Sequence, residues 1–497
     1  MGKESTKGLG VQCTFIFAQW PESAVDWCTV ARVTIDTLPD VALLGIFEFY
    51  VALGDRIEAW HTLVHVCRNW RIVVFGSPRR LNLRLLCTAR TSIRKLLDVW
   101  PPLPIVVRSD GDGHEKWGVE NIFAALKHND RICQLELIDF PVSQAEKVLA
   151  AMQKPFPALK GLFLRPNERA APIDFDLFLG GSAPRIQSLR LHYILPPGLP
   201  DVLLSATHLV DLDLWFIPHS DCILPETMVH CLSGLTRLER LDILVVPESL
   251  RDLKSRHPSF PTRILLPVLT RLWIRGTGEY LEDLVAQIDA PLLDYLTVSL
   301  FQEPFFNTPE LIQFINRAPK FKPHNQACVA FDPGSDAWVN LPQASGGRLR
   351  VETACGVPDH IPYLAQICNS TVPGVFISAV EHLYIMERLI EHLDGDIERN
   401  PAQWLELLHP FTAVKRLYIS ETYTPHVAFA LQELVVESVT DVLPTLQTLF
   451  FETYPQGPAW EAIGQFVVAR QLVGQPVTLS HWDDVCDVWD EVYEMGG

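Results

Sequence analysis

Along most of this chain an aliphatic residue, one variable residue and a second aliphatic residue form a short core that keeps returning. It reads Leu81/Leu83, Ile105/Val107, Leu135/Leu137, Leu162/Leu164, Leu189/Leu191, Leu212/Leu214, Leu241/Ile243, Leu272/Ile274 and Leu296/Val298, then Leu383/Ile385, Leu417/Ile419 and Leu449/Phe451. The steps between the first nine are 24, 30, 27, 27, 23, 29, 31 and 24 residues. Alternation with period two marks a strand with one buried face. Between the strand cores lie pieces with helical spacing, such as "NIFAALKHN", "SQAEKVLAAMQ", "YLEDLVAQI" and "ELIQFINRA". One strand and one helix cannot bury their own leucines, whereas stacked units share a continuous core. The pattern therefore predicts an α/β fold made by repetition, strands on one side and helices on the other. A doubly wound sheet also alternates strand and helix, but it does not call for the same strand signature again and again.

A unit of this length has leucine-rich-repeat spacing, and residues 79–480 are expected to form a curved solenoid with its strands on the concave side. Residues 300–380 break the rhythm. There "PHNQACVAFDPGSDAWVN" and "GRLRVETACGV" read as degenerate strands with a long loop between them, and residues 165–184, 193–207, 246–267 and 331–347 read as protruding loops. If the leucines point inward, their neighbours point to solvent. That places Glu136, Arg190, His192, Asp211, Asp213, Trp215, Arg240, Asp242, Arg271, Trp273, Arg275, Tyr384, Tyr418 and Phe450 on the open face. Of these, Arg190, Trp215, Arg271, Trp273, Tyr384 and Tyr418 are the candidate target-binding residues, because aromatic and arginine side chains on a rigid surface are the usual anchors of an interface. Taken singly, each is an ordinary exposed side chain.

The first part of the chain has a different pattern. Leu43, Ile46, Phe47 and Tyr50 fall at i, i+3, i+4 and i+7, one face of a helix. Pro39 suits its first turn, Asp36 or Thr37 its cap, and Asp40 the positive end of its dipole. Leu38, Val41 and Leu44 add apolar surface beside the stripe. A second stripe of Leu63, Val66, Cys67, Trp70 and Val74 follows, with Val64 and Val73 off it. Two or three short helices cannot hide all of this among themselves. The surplus must meet the rest of the chain or another protein.

Composition narrows the partners. The net charge is −18. Residues 1–110 hold 13 Lys/Arg against 10 Asp/Glu, so +3, and the remainder 28 against 49, so −21. An acidic surface repels phosphate, so no nucleic-acid partner is expected. The basic group Arg79, Arg80, Arg84, Arg90, Arg94 and Lys95 reads as a solvated face. Eleven cysteines occur singly, with no Cys-x-x-Cys and no zinc spacing. That pattern suits a reduced chain, cytoplasmic or nuclear. No apolar run approaches membrane-spanning length, so no membrane partner is expected. Residues 1–33 lack clear periodicity and read as a disordered extension, although Gly2 and Thr6 fit the loose myristoylation pattern. His61 and His65 lack the glutamate of a zinc-protease motif, and no phosphate loop or nucleophile elbow occurs. We therefore expect no enzyme activity, no metal and no cofactor. The end, "SHWDDVCDVWDEVYEMGG", places Trp482, Val485, Trp489 and Val492 on one helical seam. Residues 481–497 read as a helix closing the last repeat or as an acidic docking helix.

At residues 34–78 the chain resembles an F-box. The resemblance rests on Leu38-Pro39, Ile46-Phe47 and "VCRNW", residues 66–70. Ala42 stands where the family has a larger aliphatic residue, and Val41 where it often has an acid. With the irregular repeats behind it, the chain resembles the fungal F-box proteins with leucine-rich repeats. The resemblance implies that Leu38, Pro39, Leu43, Ile46, Phe47, Leu63, Val66, Cys67 and Trp70 hold a Skp-type adaptor on a cullin scaffold. It implies a substrate-recognition adaptor of an SCF-type ubiquitin ligase, with the solenoid holding a target protein. The alternative is a repeat scaffold for protein interactions with no role in ubiquitin transfer.

Overall fold

The structure is a computed structural model, and it describes residues 35, 38–52, 59–88, 93–110, 119–170, 177–215, 223–245, 263–301, 308–331, 336–342, 347–354, 360–387, 400–435 and 439–482. The chain divides into two compact units, Met1–Leu83 and Arg84–Gly497. The boundary follows Leu83 rather than residue 78.

The described part of the first unit is helical: α1 (Asp40–Ala52), α2 (Ala59–Val66), α3 (Arg68–Gly76) and α4 (Pro78–Leu81). Its core is Leu43, Leu44, Phe47, Trp60, Leu63, Val64, Val73, Val74, Leu81 and Leu83. Two expectations are corrected here. The stripe from Leu63 to Val74 is not one helix. Cys67 leaves helical geometry, at φ −154° and ψ 170°, and its Sγ accepts a hydrogen bond from the Trp70 amide at 3.4 Å, so it caps α3. The break changes the helical phase, which buries Val64 and Val73 and turns Val66 outward. Leu81 and Leu83 are not a strand core either. Pro78 starts a short helix there, and both leucines join the helical core.

The second unit is built on a sixteen-stranded sheet. Its strands are β1 (Leu85–Cys87), β2 (Ile105–Asp110), β3 (Ile132–Phe140), β4 (Gly161–Pro166), β5 (Ser188–His192), β6 (Asp211–Trp215), β7 (Arg240–Leu244), β9 (Arg271–Gly276), β11 (Tyr295–Phe301), β12 (Gln326–Phe331), β13 (Asp336–Leu341), β14 (Arg348–Ala354), β15 (His382–Glu387), β16 (Arg416–Ile419), β17 (Thr448–Phe451) and β18 (Thr478–His481). The short strands β8 (Ile264–Leu265) and β10 (Ile288–Asp289) pair only with each other. From β1 to β11 the sheet strands follow chain order and all pair in parallel, as do β15 to β18. Helices separate most of them, among them Val119–Leu126, Ala145–Ala151, Gly278–Val285 and Pro309–Arg317, where the helical spacing predicted them. The paired aliphatic residues of the strands are buried, from Leu135 and Leu137 to Leu449 and Phe451.

The middle departs from the repeat. Strands β12, β13 and β14 form an antiparallel meander set into the sheet in reverse, so that β11 pairs in parallel with β14 and β12 with β15. The segment expected as a loop over 331–347 contains β13. Its pattern is hidden because β12 and β13 are apolar on consecutive positions and five of six residues in each are buried, which erases the period of two. The expected loop over 193–207 contains the helix Leu199–Ser205. The whole N-terminal extension, residues 1–33, together with Asp36 and Thr37, the segment 246–262 and the acidic end from residue 483, lies outside the described residues.

Candidate functional site

The register of the strands lines up the outward residues of the sheet in rows. One row runs Glu136, Phe163, Arg190, Asp213, Asp242, Trp273, Thr297, Arg350, Asn340, Cys328, Tyr384, Tyr418 and Phe450, each opposite the next. Two strand positions towards the N-terminal ends lies a second row: Ser188, Asp211, Arg240, Arg271, Tyr295 and Arg348. Two positions the other way lies a third, with His192, Trp215, Leu244, Arg275, Ser299, Glu352 and Trp338. All six target-binding candidates fall on this face, but Tyr418, expected to point to solvent, is buried in the stack between Tyr384 and Phe450. They do not converge on one point, because Arg190 stands on β5 and Tyr418 on β16.

Two local constellations hold them. In the first, His192 stacks on Trp215 with ring centroids 4.5 Å apart and planes 5° apart, and its Nε2 lies 2.9 Å from Asp213 Oδ2. Trp215 meets Trp273 edge-on at 6.1 Å. The Arg275 guanidinium lies 4.0 Å from the Trp273 ring centroid, and that of Arg350 lies 4.2 Å from the Trp338 centroid. Both arginines pair with the buried carboxylate of Glu352, at 3.5 and 2.9 Å, and Ser299 donates to that same carboxylate. Arg190 donates to Asp211 at 2.7 Å, and Asp211 also receives Arg240 at 3.2 Å. The hydrogen bond to Asp211 raises the Arg190 pKa despite the opposing effect of burial. Asp242 is left poorly matched. Burial, and then the nearby charge of Asp213, push its carboxyl up to about 8, and its Oδ1 makes no hydrogen bond.

The second constellation carries less charge. Tyr384, Tyr418 and Phe450 on β15, β16 and β17 stack at 4.3 and 4.4 Å with planes 10° and 12° apart. Trp482 packs against Tyr384 and Tyr418 at 6.0 and 5.8 Å. Such a ladder follows from putting aromatic residues at equivalent positions of adjacent parallel strands. Arg350, Glu352, Trp338 and Ser299 are absent from the sequence-predicted set because they lie in or beside the meander. The alternation of Arg348, Arg350 and Glu352 with Leu349 and Val351 is the signal that points to them.

The first unit presents a different surface. Leu43, Phe47 and Leu63, expected to touch a partner, are enclosed by this unit's own packing and offer no surface. Phe47 lies 4.7 Å from Trp70 between ring centroids. Leu38, Cys67 and Trp70 are half-buried, and Pro39, Ile46 and Val66 are exposed. The outward half of α1 carries Val41, Ala42, Gly45, Ile46, Phe49 and Tyr50, with the exposed Asp40 in the first turn and the exposed Glu48 beside them. Val41 is 68 % exposed, Phe49 67 %, Ile46 46 % and Tyr50 44 %. The helix thus carries large apolar residues on both faces, with Asp40 and Glu48 as its only charges. The inward face is Leu43, Leu44 and Phe47, not the expected stripe through Ile46 and Tyr50, because the packing turns α1 so that Leu44 points inward.

Burial pushes the thiols of Cys87, Cys328 and Cys368 up to about 12 and that of Cys231 to about 11, so these cysteines act as core residues. Among the described residues no group of three potential metal ligands occurs, and no helix is long and apolar enough to cross a membrane.

No family model matches the chain. No curated protein matches it. A solved structure similar to it is the leucine-rich repeat-containing protein LegL7 from Legionella pneumophila, at 11 % identity, with a TM-score of 0.28, over 77 % of this chain and 97 % of that one. An overlap that loose carries no argument, so the repeat reading rests on the register of the strands themselves.

Proposed function

We propose that the chain is a non-catalytic recognition adaptor. On this reading the N-terminal helices are an F-box that holds a Skp-type adaptor of a cullin-based ubiquitin ligase, and the outward face of the sheet, as the face of a leucine-rich-repeat solenoid, holds a target protein. The observation that carries the reading is the outward face of α1. A run of exposed large apolar side chains marks a surface that another body covers, and four of them on α1 are left facing out. Covering Val41, Ile46, Phe49 and Tyr50 stabilises an association by roughly 1.5–3 kcal/mol for each side chain fully buried, before the cost of binding. The docking residues are Ile46, Phe49, Tyr50 and Val66, with Pro39, Leu38 and Trp70 at the margin. Leu43, Phe47 and Leu63 hold the helices beneath them.

The chain would place target lysines beside a charged conjugating enzyme by raising their effective concentration. The test is an Ile46→Asp/Phe49→Asp variant of the full chain, precipitated from cells with antibody and probed for the Skp adaptor and cullin. The wild type should bring both down and the variant neither, with the same circular dichroism as the wild type. Equal recovery with both chains, or none with either, rejects the reading. The second reading, a scaffold with no part in ubiquitin transfer, is favoured by the six target-face candidates alone, and survives if the sheet face binds a protein while the adaptor does not associate.

A further inference from the structure

Among the described residues the sheet unit ends on the helix Pro458–Leu472 and the strand β18. The helix buries Ala459, Ala462, Ile463, Phe466 and Arg470 on its inner side. A stack of repeats needs a polar outer face at its end, and this one is apolar. Trp460, Gly464, Val468 and Leu472 follow at steps of four, which puts them on one face. Trp460 is 45 % exposed, Val468 57 % and Leu472 82 %. Tyr454 continues the strip, its ring edge-on to that of Trp460 at 6.3 Å, and the exposed Val473 extends the other end. Gly464 stands in the middle. A glycine inside a helix weakens it relative to alanine, and here a Cβ would meet nothing within 4 Å. The chain's own packing gives no reason for that glycine, whereas close approach of another helix does. Beside the helix, β18 pairs with β17 and, among the described residues, with no strand on its far side. No lysine, acid or proline within Thr478–His481 blunts that edge.

We propose that this end of the sheet unit is a two-fold interface with a second copy of the chain, the helix Pro458–Leu472 lying antiparallel to its counterpart and crossing it at Gly464. The strip is complementary to itself about that glycine. Trp460 and Val468 stand four residues on either side of it, so Trp460 meets the partner's Val468 and the reverse contact follows by symmetry. The exposed Glu461 does not meet its own copy, because the two stand about 9 Å apart along the helices. One operation serves both elements: an axis perpendicular to the sheet reverses strand and helix together, so β18 pairs with its copy as the helices come side by side. The strip exposes on the order of 500 Å² in each copy. With the paired strand edges, two copies reach the roughly 1,000 Å² that a specific contact needs. The sheet then runs on from one chain into the next and offers a target two copies of the binding face, which strengthens binding by avidity.

The inference does not depend on the ligase reading. The experiment is analytical ultracentrifugation of the purified full chain over a hundredfold range of concentration, where the mass should pass from one chain to two. Trp460→Glu/Leu472→Glu, both at exposed positions, should weaken association at least tenfold with unchanged circular dichroism. Lys147→Glu, on the helix Ala145–Ala151, should change it less than twofold. A position on the axis faces itself, so mild oxidation of Gly464→Cys should give a reducible species of two chains, whereas Gln475→Cys and the wild type should not. The mass of one chain throughout would mean that the strip is covered by the chain itself or by an unrelated protein, and overturns the proposal. So does a pair of chains that survives the Trp460→Glu/Leu472→Glu change, or the lack of a cross-link at position 464. The Ile46→Asp/Phe49→Asp chain should still pair with itself while losing the adaptor, which separates failure of one reading from failure of the other; loss of pairing in that chain places the contact on α1 and overturns the proposal as well.

Discussion

Asp242 lends itself to a titration experiment in which sign and size both follow from the structure. Its carboxyl is raised from 3.8 to about 8 by burial and by the charge of Asp213, with a smaller push from Asp211, while Trp215 and Arg275 oppose the rise. An acid raised in the folded state holds a proton there that the unfolded chain has released. Its stabilising contribution is complete below about pH 4 and is lost as the pH rises towards about 8. A tenfold difference in proton affinity between the folded and unfolded chain is worth about 1.4 kcal/mol, so the ceiling is about 5 kcal/mol at that pH. The high effective dielectric response inside a protein and screening by the neighbouring charges reduce that to about 2 kcal/mol. Asp242→Asn keeps the shape and removes the ionisation. Urea unfolding of both chains at pH 4 and pH 8 is the assay. The wild type should lose about 2 kcal/mol more than the variant between the two pH values, so the asparagine chain gains relative stability at pH 8. Parallel pH dependence of the two chains, or a variant that loses more than the wild type at pH 8, would refute the burial argument.

Two further outcomes follow from packing. Arg470 is fully enclosed and donates to the carbonyls of Val439, Leu443, Pro444 and Leu446 at 3.1 to 3.3 Å. Arg470→Met should cost about 3 kcal/mol by stranding them, seen as early proteolysis between residues 439 and 482 while β3 to β6 stay resistant. Phe47→Ala should cost about 3–5 kcal/mol and melt the first unit, whereas Ile46→Asp leaves its melting within about 1 kcal/mol of the wild type. Differential scanning of the two chains tells them apart.

Most of the parallel strands are legible because they carry two aliphatic residues separated by one, although Leu81 and Leu83 show the same spacing in the helical unit. The open face is legible for the same reason: once Leu189 and Leu191 are inside, Arg190 is outside. Alternation disappears where burial on both sides erases it, as at Val329, Ala330 and Phe331. Cys67 misleads in another way, since it looks like one more apolar position of a helix and is in fact its stop. In α1 the sequence shows too much apolar surface, but not which half faces in. Leu44 and Tyr50 compete for the inner side, and only packing against the other helices decides. Asp242 and Glu352 show no sign in sequence of how differently they are treated. One is left short of partners, and the other holds two arginines.

The reversed meander has a consequence for how the larger unit is assembled. In a stack of parallel strands each new unit can close on the edge left by the one before, so order spreads from neighbour to neighbour. Here that spread halts at β11, whose far edge stays bare until β14 has been made, while β12 waits for β15. Residues 85–301 and 382–481 are therefore two blocks, each able to grow by itself, joined by a seam that forms only when three strands arrive together. Closing it across more than fifty residues of chain is a slow, non-local step.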